Sequence, residues 1–228
     1  MTDNELLIKK ELDRYFEGNI CAVFGILGNI KAESNCRGNN LQNSYEKKLG
    51  FTDETYTAAI DNGSYTKEQF MNDHAGYGLC QWTFWSRKRG LYDYWIKCYA
   101  FLSISDVSMQ VAFLNTEIST SLRNKLMAAK TVEEAARIFM LDFEKPANQS
   151  EENIQRRCNI AKELYIDWLS TRTQNELNEL PISVPEDEAK TSKKELAYDT
   201  ILTCIDSFKV YLDILKNAIK DLGDIPHD

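Results

Sequence analysis

The 228-residue sequence is short of the residues that build several common kinds of site. It has two histidines, His74 and His227, and no H-E-x-x-H pair, which excludes a histidine-rich zinc centre. Its cysteines, at 21, 36, 80, 98, 158 and 204, form no C-x-x-C pair and no metal-ligand spacing, so they read as buried free thiols. Neither a metal nor a cofactor is expected. Basic residues are outnumbered, 27 against 35 acidic, for a net charge of −8. Nucleic-acid binding rests on clustered Lys and Arg, so a phosphate-backbone partner is not expected. The longest apolar run, residues 20–28, is about half of the roughly 20 residues a membrane span needs. The acidic start and the brief Leu6-Leu7-Ile8 do not make a secretory signal, which fits delivery by a virion, a lysis system or a larger parent chain.

What remains is the composition of a folded protein: 43% hydrophobic and 11% aromatic residues. Apolar residues recur at helical spacing through Leu6, Leu7, Leu12 and Phe16, through Leu91, Tyr94, Trp95, Cys98 and Leu102, and through Val132, Ala135, Ala136 and Phe139. Residues 154–169 continue the pattern, and no long alternating stretch suggests a sheet. The fold class is mainly α. Residues 36–76 differ, being dense in turn formers such as Arg37-Gly38-Asn39-Asn40 and Asp61-Asn62-Gly63-Ser64. They read as a loop-rich insertion, with at most a short helix or hairpin, that walls a groove.

Pro181, Pro185 and the run Glu186-Asp187-Glu188 mark residues 171–195 as a linker, which assigns residues 1–170 to the main domain. Residues 171–228 hold 12 acidic and 7 basic side chains, against 23 and 20 before them. Over 196–224, Ile201, Ile205, Phe208, Leu212, Leu215, Ile219 and Leu222 alternate spacings of four and three, an amphipathic helix with a coiled-coil seam. Such a seam serves a homo-oligomer, a contact with another protein, or a helix laid back on its own domain.

From Asn19 to Lys31 nearly every residue is apolar or small, so a helix here sits in the middle of the core. Gly25 and Gly28 then mark close approach by neighbouring elements. The helix runs out at Ala32-Glu33-Ser34-Asn35. Partial desolvation at that place is expected to suit Glu33 to the part of a general acid, although a solvated glutamate in a last helical turn is the commoner arrangement.

The pairing of Gly28-Asn29-Ile30-Lys31-Ala32-Glu33-Ser34 with Gly76-Tyr77-Gly78-Leu79-Cys80-Gln81-Trp82-Thr83 resembles the lysozyme-like superfamily, in which a Glu-Ser ending a core helix is followed by a Gly-Leu-Met-Gln type segment along the sugar cleft. The match over roughly residues 15–170 is to the phage tail lysozyme family, and includes residues 82–88 and Phe143-Glu144-Lys145-Pro146. This resemblance implies a mostly helical, lysozyme-like domain that cuts the β-1,4 bond between N-acetylmuramic acid and N-acetylglucosamine in bacterial peptidoglycan, with Glu33 as the acid. It also implies a place on the virion tail or release to the cell wall, with a tail protein as one partner for the C-terminal helix.

The residues themselves agree with a sugar cleft. Gly76 and Gly78 permit a tight turn near a ligand, and Gln81 offers donors and acceptors to hydroxyl and acetamido groups. Tyr77, Trp82 and Trp85 offer flat apolar faces, though Trp85 fits a core-anchoring role equally well. Ser34 either hydrogen-bonds near the acid or caps the helix end. Arg87-Lys88-Arg89 reads either as a contact for acidic stem-peptide or wall-polymer groups or, more commonly, as a solvated basic turn. Glycosidases commonly need a second carboxylate, for which Asp73 is the first candidate and Glu144, otherwise a substrate contact, the second. Without one, the route of a lytic transglycosylase remains: Glu33 protonates the leaving oxygen, then takes the proton of the muramic acid 6-hydroxyl, giving a 1,6-anhydro product. Two further classes stand beside these, a non-catalytic wall-binding or tail-assembly module, and a cysteine amidase or peptidase using Cys80 with His74.

Overall fold

The computed structural model describes residues 1–178. In chain order its helices are α1 (Asp3–Tyr15), α2 (Ile20–Ser34), α3 (Asn43–Leu49), α4 (Asp53–Asp61), α5 (Lys67–Asn72), α6 (Trp85–Tyr99), α7 (Val107–Glu117), α8 (Thr120–Ala128), α9 (Val132–Phe139) and α10 (Glu151–Asn178), with a π-helical turn over Met140–Glu144. The fold is mainly α, and the described residues hold no strand beyond isolated bridges at Leu41–Tyr77 and Tyr77–Trp82. No described helix is long and apolar enough to cross a membrane.

α2 is the axis of the domain. Asn19 starts it, its side chain accepting from the Ala22 amide at 3.0 Å, and every residue from Ala22 to Ile30 is buried. α1, α8, α9 and α10 pack against it, and the two glycines set how closely α9 and α10 approach. A Cβ on Gly25 would lie 2.5 Å from the Ala135 Cβ on α9, and one on Gly28 would lie 2.5 Å from the Ala161 Cβ on α10. The small residues on both sides let three backbones approach at the core. Asn35 (φ 52°) and Cys36 (φ 60°), both left-handed, then end α2 sharply and turn the chain out of the core.

Residues 36–76 are more ordered than their composition suggests. They form three short helices, α3 to α5, and the Thr52 and Thr66 side chains cap the last two. The basic run at 87–89 also differs from its expectation, because it lies on α6 and Lys88 faces inward with no exposed surface. Its ammonium donates to Asp73 Oδ1 at 2.5 Å, to the Ala75 carbonyl at 2.9 Å and to the Tyr56 hydroxyl at 3.2 Å, and it sits 4.2 Å above the Phe70 ring. Burial pulls it down to about 8, against the attraction of Asp73. Beyond residue 170 the polypeptide stays helical to Asn178, and the rest of the expected linker and the expected helix over 196–224 lie outside the described residues.

Candidate active site

Glu33 occupies the last turn of α2, its side chain 20% exposed. Arg157 of α10, almost fully buried, donates from Nη2 to Glu33 Oε1, and from Nη1 to Asn29 Oδ1 at 3.1 Å. Asn29, one turn before Glu33, is fixed in turn by donating to the Gly25 and Ala136 carbonyls at 2.9 Å each. Three helices thereby orient one carboxylate.

Glu33 opens on a cleft of about 880 Å³ together with Glu144 and Cys80. Gln42, Tyr45 and His74 line it from the residue 36–76 region, and Gln81, Phe84, Arg87 and Lys145 are among the residues opposite. His74 (φ 62°), Gln81 (φ 45°) and Lys145 (φ 49°) all have left-handed backbones. That conformation is uncommon outside glycine and tends to gather where a side chain must be aimed.

Glu144 ends the π-helical turn. Its Oε1 and the Arg157 Nε are buried without a hydrogen-bond partner in the protein, an unusual state for charged groups. Burial pushes the Glu144 carboxyl up to about 8, with the charge of Glu33 adding and Arg87 and Arg157 opposing. The carboxyl therefore keeps its proton at neutral pH. Burial also drives the Cys80 thiol well above its ordinary range, which removes the thiolate that a cysteine nucleophile needs.

The turn at residues 76–83 is built from behind. Tyr77 and Trp82 exchange backbone hydrogen bonds at 3.2 and 2.9 Å, and Ser34 donates its hydroxyl to the Leu79 carbonyl at 2.9 Å. Gln110 accepts from the Leu79 amide at 2.9 Å and lies where a Cβ on Gly78 (φ 75°) would be, 2.6 Å from its Oε1. Glu117 accepts from Trp82 Nε1 at 2.7 Å and takes both arms of Arg87, at 2.9 and 2.8 Å.

The residues singled out from the sequence thus divide into two sets. Glu33, Gln81 and Glu144 meet at the cleft. Ser34, Tyr77, Gly78 and Trp82 lie beneath it: the two rings have no exposed surface, so they support the turn and cannot stack on a sugar. Asp73 is elsewhere, its carboxylate held by Lys88, the Tyr56 hydroxyl and the Ala75 amide. The exposed rings next to this turn are Phe84, 70% exposed and on the cleft, and Trp85, 52% exposed.

Arg157 and Phe84 had not been singled out. Arg157 does leave a trace, since it interrupts the apolar stripe of Ile154, Cys158, Ala161 and Leu164, where a charge needs a buried partner. Asn29 likewise is a polar residue inside an apolar helix, four before Glu33.

The profile of the phage tail lysozyme family matches residues 17–168, which include all of the cleft. The chain belongs to that family. Membership places it among lysozyme-like, peptidoglycan-degrading enzymes of phage tails. No curated protein and no solved structure matches it. Among the described residues, no group of three or more His, Cys, Asp or Glu side chains could hold a metal ion.

Proposed function

We propose that the domain cleaves the β-1,4 bond between N-acetylmuramic acid and N-acetylglucosamine, with Glu33 delivering the proton to the leaving oxygen. The observation that carries this reading is the convergence of Glu33 and Glu144 on one cleft, close enough that the charge of Glu33 raises the Glu144 carboxyl. Two like charges in such a site do not both form readily, so the pair holds one proton at neutral pH. In the free protein Glu144 keeps that proton. When a glycosidic oxygen settles against Glu33, the proton of the pair passes through Glu33 to that oxygen, the bond to the anomeric carbon breaks, and water adds at that carbon, its released proton returning to the pair. Gln81 and His74 border the sugars, and Phe84 offers the ring on which one rests.

General acid catalysis contributes about 10²–10⁴-fold. Glu33→Gln is therefore expected to lose at least a hundredfold in release of reducing ends from purified sacculi, with an unchanged circular dichroism spectrum. Lysis at the wild-type rate by that variant would overturn the assignment.

A second outcome for the same acid is supported by the state of Glu144. Asp73 is engaged outside the cleft by Lys88, and Glu144 has an oxygen buried away from solvent and serves as the proton source. With neither placed as a nucleophile, the muramic acid 6-hydroxyl attacks the anomeric carbon and Glu33 takes its proton, leaving a 1,6-anhydro end. Mass spectrometry of the digest separates the two outcomes, because hydrolysis adds one water per cut and this route adds none.

A further inference from the structure

A second cavity, of about 410 Å³, adjoins the cleft across Arg87 and Lys145, which line both. Its size falls within the range of small-ligand sites, about 300–1,000 Å³. Its chemistry differs from that of the cleft. Ser119 and Ser121 offer hydroxyl groups, Lys125 and Asp142 offer opposite charges, and no strongly exposed aromatic ring lines it. Sugars favour aromatic platforms; charges of both signs beside hydroxyl groups suit a ligand with carboxylates, amides and ammonium groups.

The divider between the two cavities is fixed. Arg87 is bound in both arms by Glu117 and stacks 4.7 Å above the Phe143 ring. The groups beyond it are open to exchange. Lys125 and Asp142 pair at 2.7 Å while 56% and 38% exposed, so solvent competes for both. Lys145, held left-handed at the junction, is exposed, and no described carboxylate forms a salt bridge with it.

We infer that this second cavity is a subsite for the short acidic peptide that peptidoglycan carries on its muramic acid residues. The inference rests on the glycan-cleaving reading of the cleft. A muramic acid bound beside Lys145 projects its lactyl-linked peptide sideways, and the adjoining cavity receives it. Lys145 and Lys125 take peptide carboxylates, Asp142 an ammonium or amide, and the two serines the peptide backbone. The glycan is thus gripped by sugar and by peptide, and strands that have lost their peptides are poor substrates.

The test compares glycan strands bearing uncross-linked peptides with the same strands stripped by an amidase, for the full chain and for Lys125→Glu and Ser121→Trp. Both substitutions are at exposed positions away from the cleft, one reversing a charge and the other filling the cavity. Charge-assisted contacts of this kind are worth about tenfold in kcat/KM, so the wild type should prefer peptide-bearing strands by about that factor. Each variant should lose most of that preference while cutting stripped strands at the wild-type rate. Co-sedimentation with the two strand preparations, in the Glu33→Gln background, should show the same preference without cleavage.

Equal binding and cutting of both strands by the wild type overturns the subsite and leaves the glycan-cleaving reading standing. A preference that survives in both variants overturns it too. So does a preference that tracks wall-polymer phosphates and vanishes from sacculi freed of them by acid. If the wild type cuts neither strand yet still sediments preferentially with the peptide-bearing one, the glycan-cleaving reading fails and the peptide subsite stands.

Discussion

The chemistry of the cleft turns on two side chains that the fold treats differently. Glu33 is oriented by a guanidinium that also serves Asn29, whereas Glu144 has an oxygen without a partner and a carboxyl raised to about 8. If the proton used in catalysis is the one that Glu144 holds, it is lost as the pH rises through about 8. Activity is then expected to be level through neutral pH and to fall above 8, by about tenfold per unit once the pair is fully ionised. The pH dependence of kcat/KM on soluble glycan checks this, and a flat profile to pH 9.5 would remove Glu144 from the proton path. Arg157→Ala addresses the orienting group. It leaves the Asn29 Oδ1 without that donor inside the core, a loss of about 1–3 kcal/mol in unfolding free energy. It also frees Glu33, so kcat should fall further than stability alone explains; Arg157→Lys, with one donor group in place of a fork, should restore only part of either.

At the scale of helices, the domain depends on α2 meeting α9 and α10 at glycine–alanine contacts. In Gly28→Ala the new Cβ would lie 2.5 Å from the Ala161 Cβ and 2.6 Å from its Cα, and a backbone atom cannot swing aside. The helices must part, at a cost of about 1–3 kcal/mol or more. Ala161→Gly in the same chain removes the obstructing methyl, so the double variant should recover part of the loss in urea unfolding; strict additivity would refute the contact. These crossings were legible in the sequence, because two glycines in an apolar helix have few other uses. So were α1, α6, α9 and α10, whose apolar spacing is long enough to fix a period. The three helices inside residues 36–76 were not, since they are short and lie among turn-forming residues, without the clear apolar stripe that marks the equally short α9. A local signal was present all the same: Thr66-Lys67-Glu68-Gln69 is a capping box. The active site was legible in part for a related reason. Glu33 and Gln81 lie in local motifs, whereas the roles of Asp73, Tyr77 and Trp82 are set by distant partners, Lys88, Thr57 and Glu117, that no spacing reveals.

For the molecule as a whole, a half-buried carboxyl that keeps its proton to about pH 8 carries a stability cost that varies with pH. In the unfolded chain Glu144 ionises near 4.5, and in the folded protein near 8. Below 4.5 both states hold the proton and the folded state has its full advantage. Between 4.5 and 8 only the unfolded chain releases it, so the protein loses stability as pH rises, by at most about 1.4 kcal/mol per unit. Above 8 both are ionised and the loss stops growing. Glu144→Gln keeps the shape and cannot ionise, so the difference in unfolding free energy between variant and wild type should be smallest near pH 4, grow in the variant's favour to pH 8, and level off beyond. Urea unfolding of both proteins at pH 4, 6, 8 and 9 measures it. A difference that does not change with pH would mean that Glu144 titrates alike in the folded and unfolded chain, and the shared proton of the cleft would lose its physical basis. If the difference grows as described while Glu144→Gln cuts sacculi more slowly, the strained carboxyl is a place where the fold gives up stability for catalysis.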